Sequence, residues 1–292
     1  MRGKIIKGIA GFYYVHDGKD GIYQCRARGI FRNQNRKPLV GDDVEFEILA
    51  GEEGAGSIVR LLPRKNELIR PLAANVDQAL VVFACREPEP NFHLLDRFLV
   101  MMGEREISCL ICFSKADLME EKVLREDLAR YEPAGYRTLI LSVKEGRGLP
   151  ELRGLLRGKT TVLAGPSGVG KSTLLNALVP EANMETGHVS AKIGRGRHTT
   201  RHAEIFVAGP DTFVMDTPGF SSIFPSAVEA EALRRYFPEF DRYEGECRFQ
   251  GCVHAREPGC AVKAAVTAGQ ISVKRYESYL QLYEDLKGQR RY

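Results

Sequence analysis

Residues Gly165-Pro166-Ser167-Gly168-Val169-Gly170-Lys171-Ser172 have the types and spacing of a phosphate-binding loop. Glycines at these positions let backbone N–H groups approach phosphate oxygens, and a helix starting at the loop's end adds its positive dipole. Lys171 can then reach the β and γ phosphates of a nucleotide, as a catalytic cation. The Ser172 hydroxyl can bind Mg²⁺, which prefers hard oxygen donors, and Thr173 joins the same nucleotide-contacting turn. The flanks agree: Thr160-Thr161-Val162-Leu163-Ala164 reads as a strand before the loop, and Ser172 to Leu178 reads as a helix after it.

A second loop, Ser114-Lys115-Ala116-Asp117, follows the apolar run Ile107 to Phe113 and precedes the phosphate loop in the chain. The Asp117 carboxylate can accept hydrogen bonds from both N1–H and the exocyclic amine of guanine, whereas adenine offers no such pair of donors. Lys115 would lie across the base. Backbone N–H groups near Ser142, at the end of the run Thr138 to Leu141, would meet the guanine O6. Ser114 stands where an asparagine more commonly opens such a loop, a change expected to weaken loop bracing more than base identification.

A third loop, Asp216-Thr217-Pro218-Gly219, follows the run Asp211 to Met215. Asp216 would hold Mg²⁺ through water, and the Gly219 N–H would point at the γ-phosphate, so loss of that phosphate would release the loop. Phe220 comes next, not a water-orienting glutamine, which predicts slow unaided hydrolysis. Between the phosphate loop and this strand, residues Gly187 to His202 hold four basic residues, three histidines and no acid. That segment reads as a switch loop in which Thr199 or Thr200 closes on Mg²⁺ and the γ-phosphate. His198 is a catalytic candidate within it, and a solvated basic loop is the competing reading.

Ligands of open parallel sheets bind beyond the carboxyl ends of the strands, so these loops are expected to converge on one site. Their order is inverted relative to an ordinary GTPase, which suggests circular permutation, a rearrangement that costs little when chain termini lie close together at a surface.

Cys247, Cys252, His254 and Cys260 place four soft or borderline ligands within fourteen residues. One small loop can wrap a tetrahedral Zn²⁺ with such a set, and Cys₃His leaves no position open for water, so the site is expected to be structural. Disulfides are the alternative. No secretory signal opens the sequence, and a reducing cytoplasm is expected. Cys25, Cys85, Cys109 and Cys112 lie in apolar or strand-like surroundings, and Cys109-x-x-Cys112 reads as buried core rather than a redox pair.

At 292 residues, 43 % of them hydrophobic, the chain can bury more than one core. No apolar run approaches the ~20 residues of a membrane span. The first 70 residues carry 13 Lys and Arg against 9 Asp and Glu. Runs at Ile5 to Val15, Gly21 to Arg28, Val44 to Ile48 and Ser57 to Leu62, separated by Gly, Asp and Pro turns, predict a small OB-like β-barrel. Arg26, Arg28, Arg32, Arg36 and Lys37, with Tyr13, Tyr14, Tyr23 and Phe31 among them, suit nucleic acid. At the other end, Tyr276, Tyr279, Leu280, Tyr283 and Leu286 recur at helical spacing as a packing stripe.

This order of barrel, base loop, phosphate loop, Gly196-Arg197-His198-Thr199-Thr200, Asp216 to Gly219 and zinc ligands resembles the ribosome small-subunit-dependent GTPase A family across essentially the whole chain. The resemblance implies a cytoplasmic factor in late small-subunit maturation, binding GTP or GDP with Mg²⁺ and one structural zinc. It also implies contact with the small ribosomal subunit and its rRNA, subunit-stimulated hydrolysis, and a catalytic role for His198. Ser114 departs from the family pattern, as does Arg201, where a third threonine often stands. The expected organisation is an OB-like barrel over 1–68, a circularly permuted α/β GTPase domain over 69–225 and a zinc-binding helical domain over 226–292, as a monomer with no membrane partner. An RNA-binding regulator that uses GTP only as a clamp, and an ATP-dependent phosphate-loop enzyme, are the alternatives that the residues themselves leave open.

Overall fold

The computed structural model describes residues 1–19, 21–29, 31, 37–69, 72–184, 203–216 and 228–289. They fall into two compact units, one built from 1–80 with 149–223 and the other from 81–148 with 224–292.

In the first unit, strands β1 (Arg2–Ile9), β2 (Phe12–His16), β3 (Ile22–Ala27), β4 (Asp43–Ile48) and β5 (Ala55–Leu61) close into a barrel in the order β1-β2-β3-β5-β4. The run from Ile5 to Val15 is thus a hairpin. Ala10 and Gly11 both have positive φ (50° and 84°), the conformation of a two-residue turn that matches strand twist. Alternate residues Ile5, Val15, Cys25, Val44, Phe46 and Ile58 fill the interior. Gly56 is required by crowding, because a Cβ there would sit 2.7 Å from the Cys25 sulfur. Phe31 joins this core, with Tyr13 and Tyr23 packed against it. These three aromatic residues therefore support the barrel rather than forming an open stacking surface; Arg32 and Arg36 lie outside the described residues.

A short hairpin, β6 (Glu67–Ile69) with β7 (Leu72–Ala74), leads to β8 (Gln78–Ala84) and then to helix α1 (Phe92–Gly103). After them come β9 (Ser108–Ser114), α2 (Glu121–Leu128), β10 (Arg137–Ile140), α3 (Leu149–Leu156), β11 (Thr160–Ala164), α4 (Lys171–Leu178), β12 (Glu204–Gly209) and β13 (Thr212–Asp216). The sheet order is β10-β9-β8-β11-β13-β12. β10 runs parallel to β9 and β11 parallel to β13, while the edge strand β12 is antiparallel to β13. Every residue of β8 and of β11 is buried, as expected of strands covered on both faces. Within the first unit the barrel also meets the β12–β13 hairpin: Lys7 pairs with Glu204 at 2.5 Å and His16 stands edge-on to Phe213.

In the second unit, Asn91 caps α1 by accepting the Leu94 N–H at 2.9 Å. The tail opens with two 3₁₀ segments, Ala230–Tyr236 and Pro238–Tyr243, and ends in helices α5 (Ala261–Thr267) and α6 (Val273–Gln289). Leu233, Phe237, Phe240, Tyr279 and Leu282 form its core, and Val100 of α1 belongs to the same cluster. Tyr279 and Tyr283 are buried, which makes the aromatic stripe of α6 a packing surface. At its centre Arg275, 1 % exposed, contacts Asp96 of α1 at 2.5 Å and Glu239 through two hydrogen bonds of 2.8 and 3.0 Å. Phe237 lies 4.5 Å from the guanidinium carbon. Burial alone would lower the pKa of Arg275, but Asp96 and Glu239 outweigh it and keep the guanidinium charged.

Candidate nucleotide site and metal centre

The phosphate loop leaves β11 through Gly165 and enters α4 at Lys171. Gly165, Gly168 and Gly170 have φ of 138°, 81° and 91°. A Cβ added at Gly170 would meet nothing within 4 Å, so the left-handed backbone, not crowding, calls for glycine there. The Val169 side chain is buried and pins the middle of the loop to the core, leaving Ser167 and Gly168 exposed. Lys171 Nζ donates to the carbonyls of Gly165 (2.9 Å) and Pro166 (2.6 Å). Burial lowers its pKa, and Asp216 at the end of β13 acts in the opposite direction, so the phosphate-loop lysine and the candidate Mg²⁺ carboxylate feel each other within one unit. Ser172 is half-buried and Thr173 exposed on the first turn of α4.

The base-loop candidate forms in the second unit, at the carboxyl end of β9. Lys115 adopts a left-handed conformation (φ 56°), and its ammonium donates to the Glu87 carbonyl. Ala116 is buried, and its N–H donates to the Leu141 carbonyl at 3.1 Å. The Asp117 carboxylate, 12 % exposed, accepts the Ser142 hydroxyl at 2.8 Å, and Lys144 lies 3.7 Å away. The Ser142 hydrogen bond, opposed by partial desolvation and aided by Lys144, holds the Asp117 carboxyl below its usual range and keeps it an acceptor. The Ser142 N–H itself donates to the Arg147 carbonyl at 3.1 Å, while its hydroxyl orients the Asp117 carboxylate. The Ser114 hydroxyl donates to the Phe83 carbonyl at 3.2 Å. Cys85 was not legible as part of this site, because its role depends on the pairing of β8 beside β9. Its N–H donates to the Ser114 carbonyl at 3.0 Å, and its thiol lies 2.8 Å from that oxygen and 2.9 Å from the Lys115 carbonyl.

His198, Thr199, Thr200 and Gly219, with Lys192, Arg195, Arg197, Arg201 and Phe220, lie outside the described residues.

The tail brings Cys247, Cys252, His254 and Cys260 together, with their ligand atoms all within 4.8 Å of one another. Cys247 and Cys260 sulfurs are 3.9 Å apart, and His254 Nδ1 lies 3.6 and 3.4 Å from them. Tetrahedral coordination with metal–sulfur bonds of about 2.3 Å and a metal–nitrogen bond of about 2.0 Å requires edges of roughly 3.5 to 3.8 Å. The three spacings among Cys247, His254 and Cys260 are close to these edges, the full set spreads to 4.8 Å, and the Nδ1 atom of His254 is the one turned toward the sulfurs. Backbone N–H groups of His254 and Ala261 donate to the sulfurs of Cys252 and Cys247 at 3.4 and 3.3 Å, which favours thiolates. Glu257, not among the expected residues, shapes the loop by accepting the N–H groups of Val253, Ala255 and Arg256 at 2.9 to 3.0 Å. Nothing in the spacing of the ligands points to it. The site fits a structural metal ion.

A strand ending in the base-loop candidate that precedes the phosphate-loop strand in the chain, after an N-terminal closed barrel, has the element order of a circularly permuted GTPase. The RsgA GTPase model matches residues 61–224 and the RsgA N-terminal domain model residues 2–57, and the chain belongs to the RsgA GTPase family. A relative from Agathobacter rectalis, a small ribosomal subunit biogenesis GTPase, is 51 % identical over the whole of both chains. One of the same description from Alkaliphilus metalliredigens is 47 % identical over all of this chain and 99 % of its own. Among solved structures, YloQ, a circularly permuted GTPase, superposes with a TM-score of 0.81 at 38 % identity, covering 99 % of this chain and 95 % of its own. YjeQ from Thermotoga maritima superposes with a TM-score of 0.82 at 36 % identity, covering 98 % of each chain. Among the described residues no helix is long and apolar enough to cross a membrane.

Proposed function

We propose that this chain hydrolyses GTP as a late maturation factor of the small ribosomal subunit, docking on that subunit in its GTP form. The single observation that carries the guanine assignment is the Ser142-oriented Asp117 carboxylate at the end of β9. In this reading Ser114 to Asp117 hold the base, and Gly165 to Thr173 hold the phosphates. Lys171 neutralises charge developing on the β and γ oxygens, and Mg²⁺ is bound through Ser172 and Asp216. Thr199 or Thr200 and Gly219 sense the γ-phosphate. The metal of the tail is zinc, chosen by a Cys₃His donor set without an open position. The functional divisions are 1–68, 69–225 and 226–292, in a cytoplasmic monomer whose basic barrel residues Arg26, Arg28 and Lys37 face rRNA.

The relatives' description supports the ribosomal step, and Phe220 after Gly219 supports a need for outside stimulation. Phosphate release under multiple turnover, measured with GTP alone and with isolated small or large subunits, tests the whole reading. Stimulation by the small subunit is expected. Equal rates in all three reactions, or ATP used as well as GTP, would reject it. His198→Ala is expected to leave GTP affinity within about twofold while removing most of the subunit-stimulated rate, as general-base or water-positioning groups contribute roughly 10²–10⁴-fold. A variant stimulated as fully as the parent protein removes His198 from the mechanism.

Zinc in the tail is expected to act on folding alone. Cys252→Ser, or a strong chelator, should release one zinc per chain and raise hydrogen exchange across 247–260. Metal analysis of protein purified under reducing conditions checks this, and a folded, metal-free tail is the contrary result.

A further inference from the structure

The guanine-reading loop is held at both ends, but by different kinds of contact. On its Asp117 side the hold is conventional, with the Ala116 N–H on the Leu141 carbonyl and the Ser142 hydroxyl on the carboxylate. On its Ser114 side, the serine hydroxyl donates to the Phe83 carbonyl at 3.2 Å. What lies under the loop there is Cys85, 1 % exposed, at the first position beyond β8. Its N–H and its thiol converge on two successive carbonyls, those of Ser114 and Lys115.

Those two carbonyls flank the Lys115 peptide, where the backbone turns through the left-handed region at φ 56°. A non-glycine residue there is strained and persists only where its surroundings over-determine it. Carbonyl oxygens turned into a buried site also need donors. The Cys85 N–H serves the Ser114 carbonyl and leaves the single S–H proton for the Lys115 carbonyl, or shared between the two, and burial pushes the thiol pKa up, so it stays protonated and able to donate at neutral pH. Cys112, the nearby buried thiol, is shifted up to about 12 by the same cause and is equally inert as a nucleophile.

We infer that Cys85 is a positioning residue for guanine recognition: its backbone and thiol donors fix the left-handed turn at Lys115 and thereby the attitude of Lys115 and Asp117 toward the base. The inference rests on the assignment of Ser114 to Asp117 as the base-reading loop. It makes the residue at position 85 a determinant of nucleotide specificity although it touches no nucleotide.

Cys85→Ser keeps a donor in the same place, whereas Cys85→Val fills similar volume without one. Because hydrolysis is slow, KM approximates the dissociation constant. Steady-state hydrolysis by the full chain should show the KM for GTP raised about tenfold in Cys85→Val, the scale of one lost buried hydrogen-bond donor. The GTP-over-ATP preference should fall by the same factor, with the change in KM rather than kcat, and Cys85→Ser should restore both. A lower melting temperature with an unchanged KM in Cys85→Val would reduce Cys85 to a packing residue and overturn the inference. So would a Cys85→Ser variant as impaired as Cys85→Val, or equal weakening of GTP and ATP. If Cys85→Val does not fold, Cys85→Ala against Cys85→Ser gives the same comparison. Asp117→Asn run in parallel separates the two levels. If that variant keeps its GTP preference, the base-loop assignment itself fails and takes the Cys85 inference with it. If Asp117→Asn shifts the preference while Cys85→Val does not, only the Cys85 inference fails.

Discussion

Asp117→Asn is expected to weaken GTP by at least about a hundredfold and to give xanthosine triphosphate the higher affinity. On the proposed reading the carboxylate accepts two guanine N–H donors, and hydrogen bonds to a charged group contribute roughly 1.5–3 kcal/mol each. An amide keeps one acceptor and turns a donor toward the exocyclic amine of guanine, so one bond is lost and a donor–donor clash replaces it. Xanthine carries an oxygen at that position, which the amide can satisfy. Sites built around such polar complementarity discriminate by large factors because the wrong partner leaves buried groups unpaired. The Ser142 hydroxyl, 2.8 Å from Asp117, should still orient the new side chain, which limits structural damage. Competition binding of GTP, ATP and xanthosine triphosphate to parent and variant is the measurement. Unchanged GTP affinity would remove Asp117 from base reading.

The second large effect concerns stability. Arg275→Met is expected to cost about 3–5 kcal/mol, because it strands Asp96 and Glu239 as buried carboxylates without a counter-charge. Against a total stability of roughly 5–15 kcal/mol this is a large fraction. Burial already raises the Asp96 carboxyl, and losing Arg275 removes a charge that lowers it, so protonation relieves the penalty there and the loss should shrink as pH falls toward the carboxylate range. Replacing Arg275, Asp96 and Glu239 together by apolar residues of matching size should recover much of the loss, since an empty set of partners leaves nothing unpaired. Urea unfolding at two pH values tests both parts. A midpoint for Arg275→Met within error of the parent protein would show that the triad contributes no net stability.

The elements that carry chemistry were legible because their signals are local. Gly165 to Ser172 announces itself by spacing, and apolar runs mark β9, β10, β11 and β13 to within a residue. The four metal ligands sit within one short loop and converge as their spacing implies. The rest depends on partners distant in the chain. Arg275 carries no local signal of burial, which follows only when Asp96, 179 residues earlier, is placed against it. Cys85 reads as core because only the β8–β9 pairing shows which carbonyls its thiol meets. The 3₁₀ segments of the tail have no period-3.6 pattern to betray them, since their cohesion comes from Phe237 and Phe240 packing edge-on against Tyr279. The edge strand β12 escaped because a single hairpin partner holds it.

The separation of Asp96 from Arg275 has a consequence for biosynthesis. Translation delivers residues at roughly 5–20 per second, so the 179 intervening positions take on the order of 10–40 s to emerge. During that interval α1 has been made, but the tail that buries Val100 and neutralises Asp96 has not. The barrel, whose strands all lie between Arg2 and Leu61, can close early on the ribosome, whereas the half of the molecule that carries the base-loop candidate must wait for the last described helix. A nascent chain stalled before α6 should therefore hold a finished barrel and an unfinished second unit, and premature termination would yield a product able to fold at its amino end but not around the base-loop candidate.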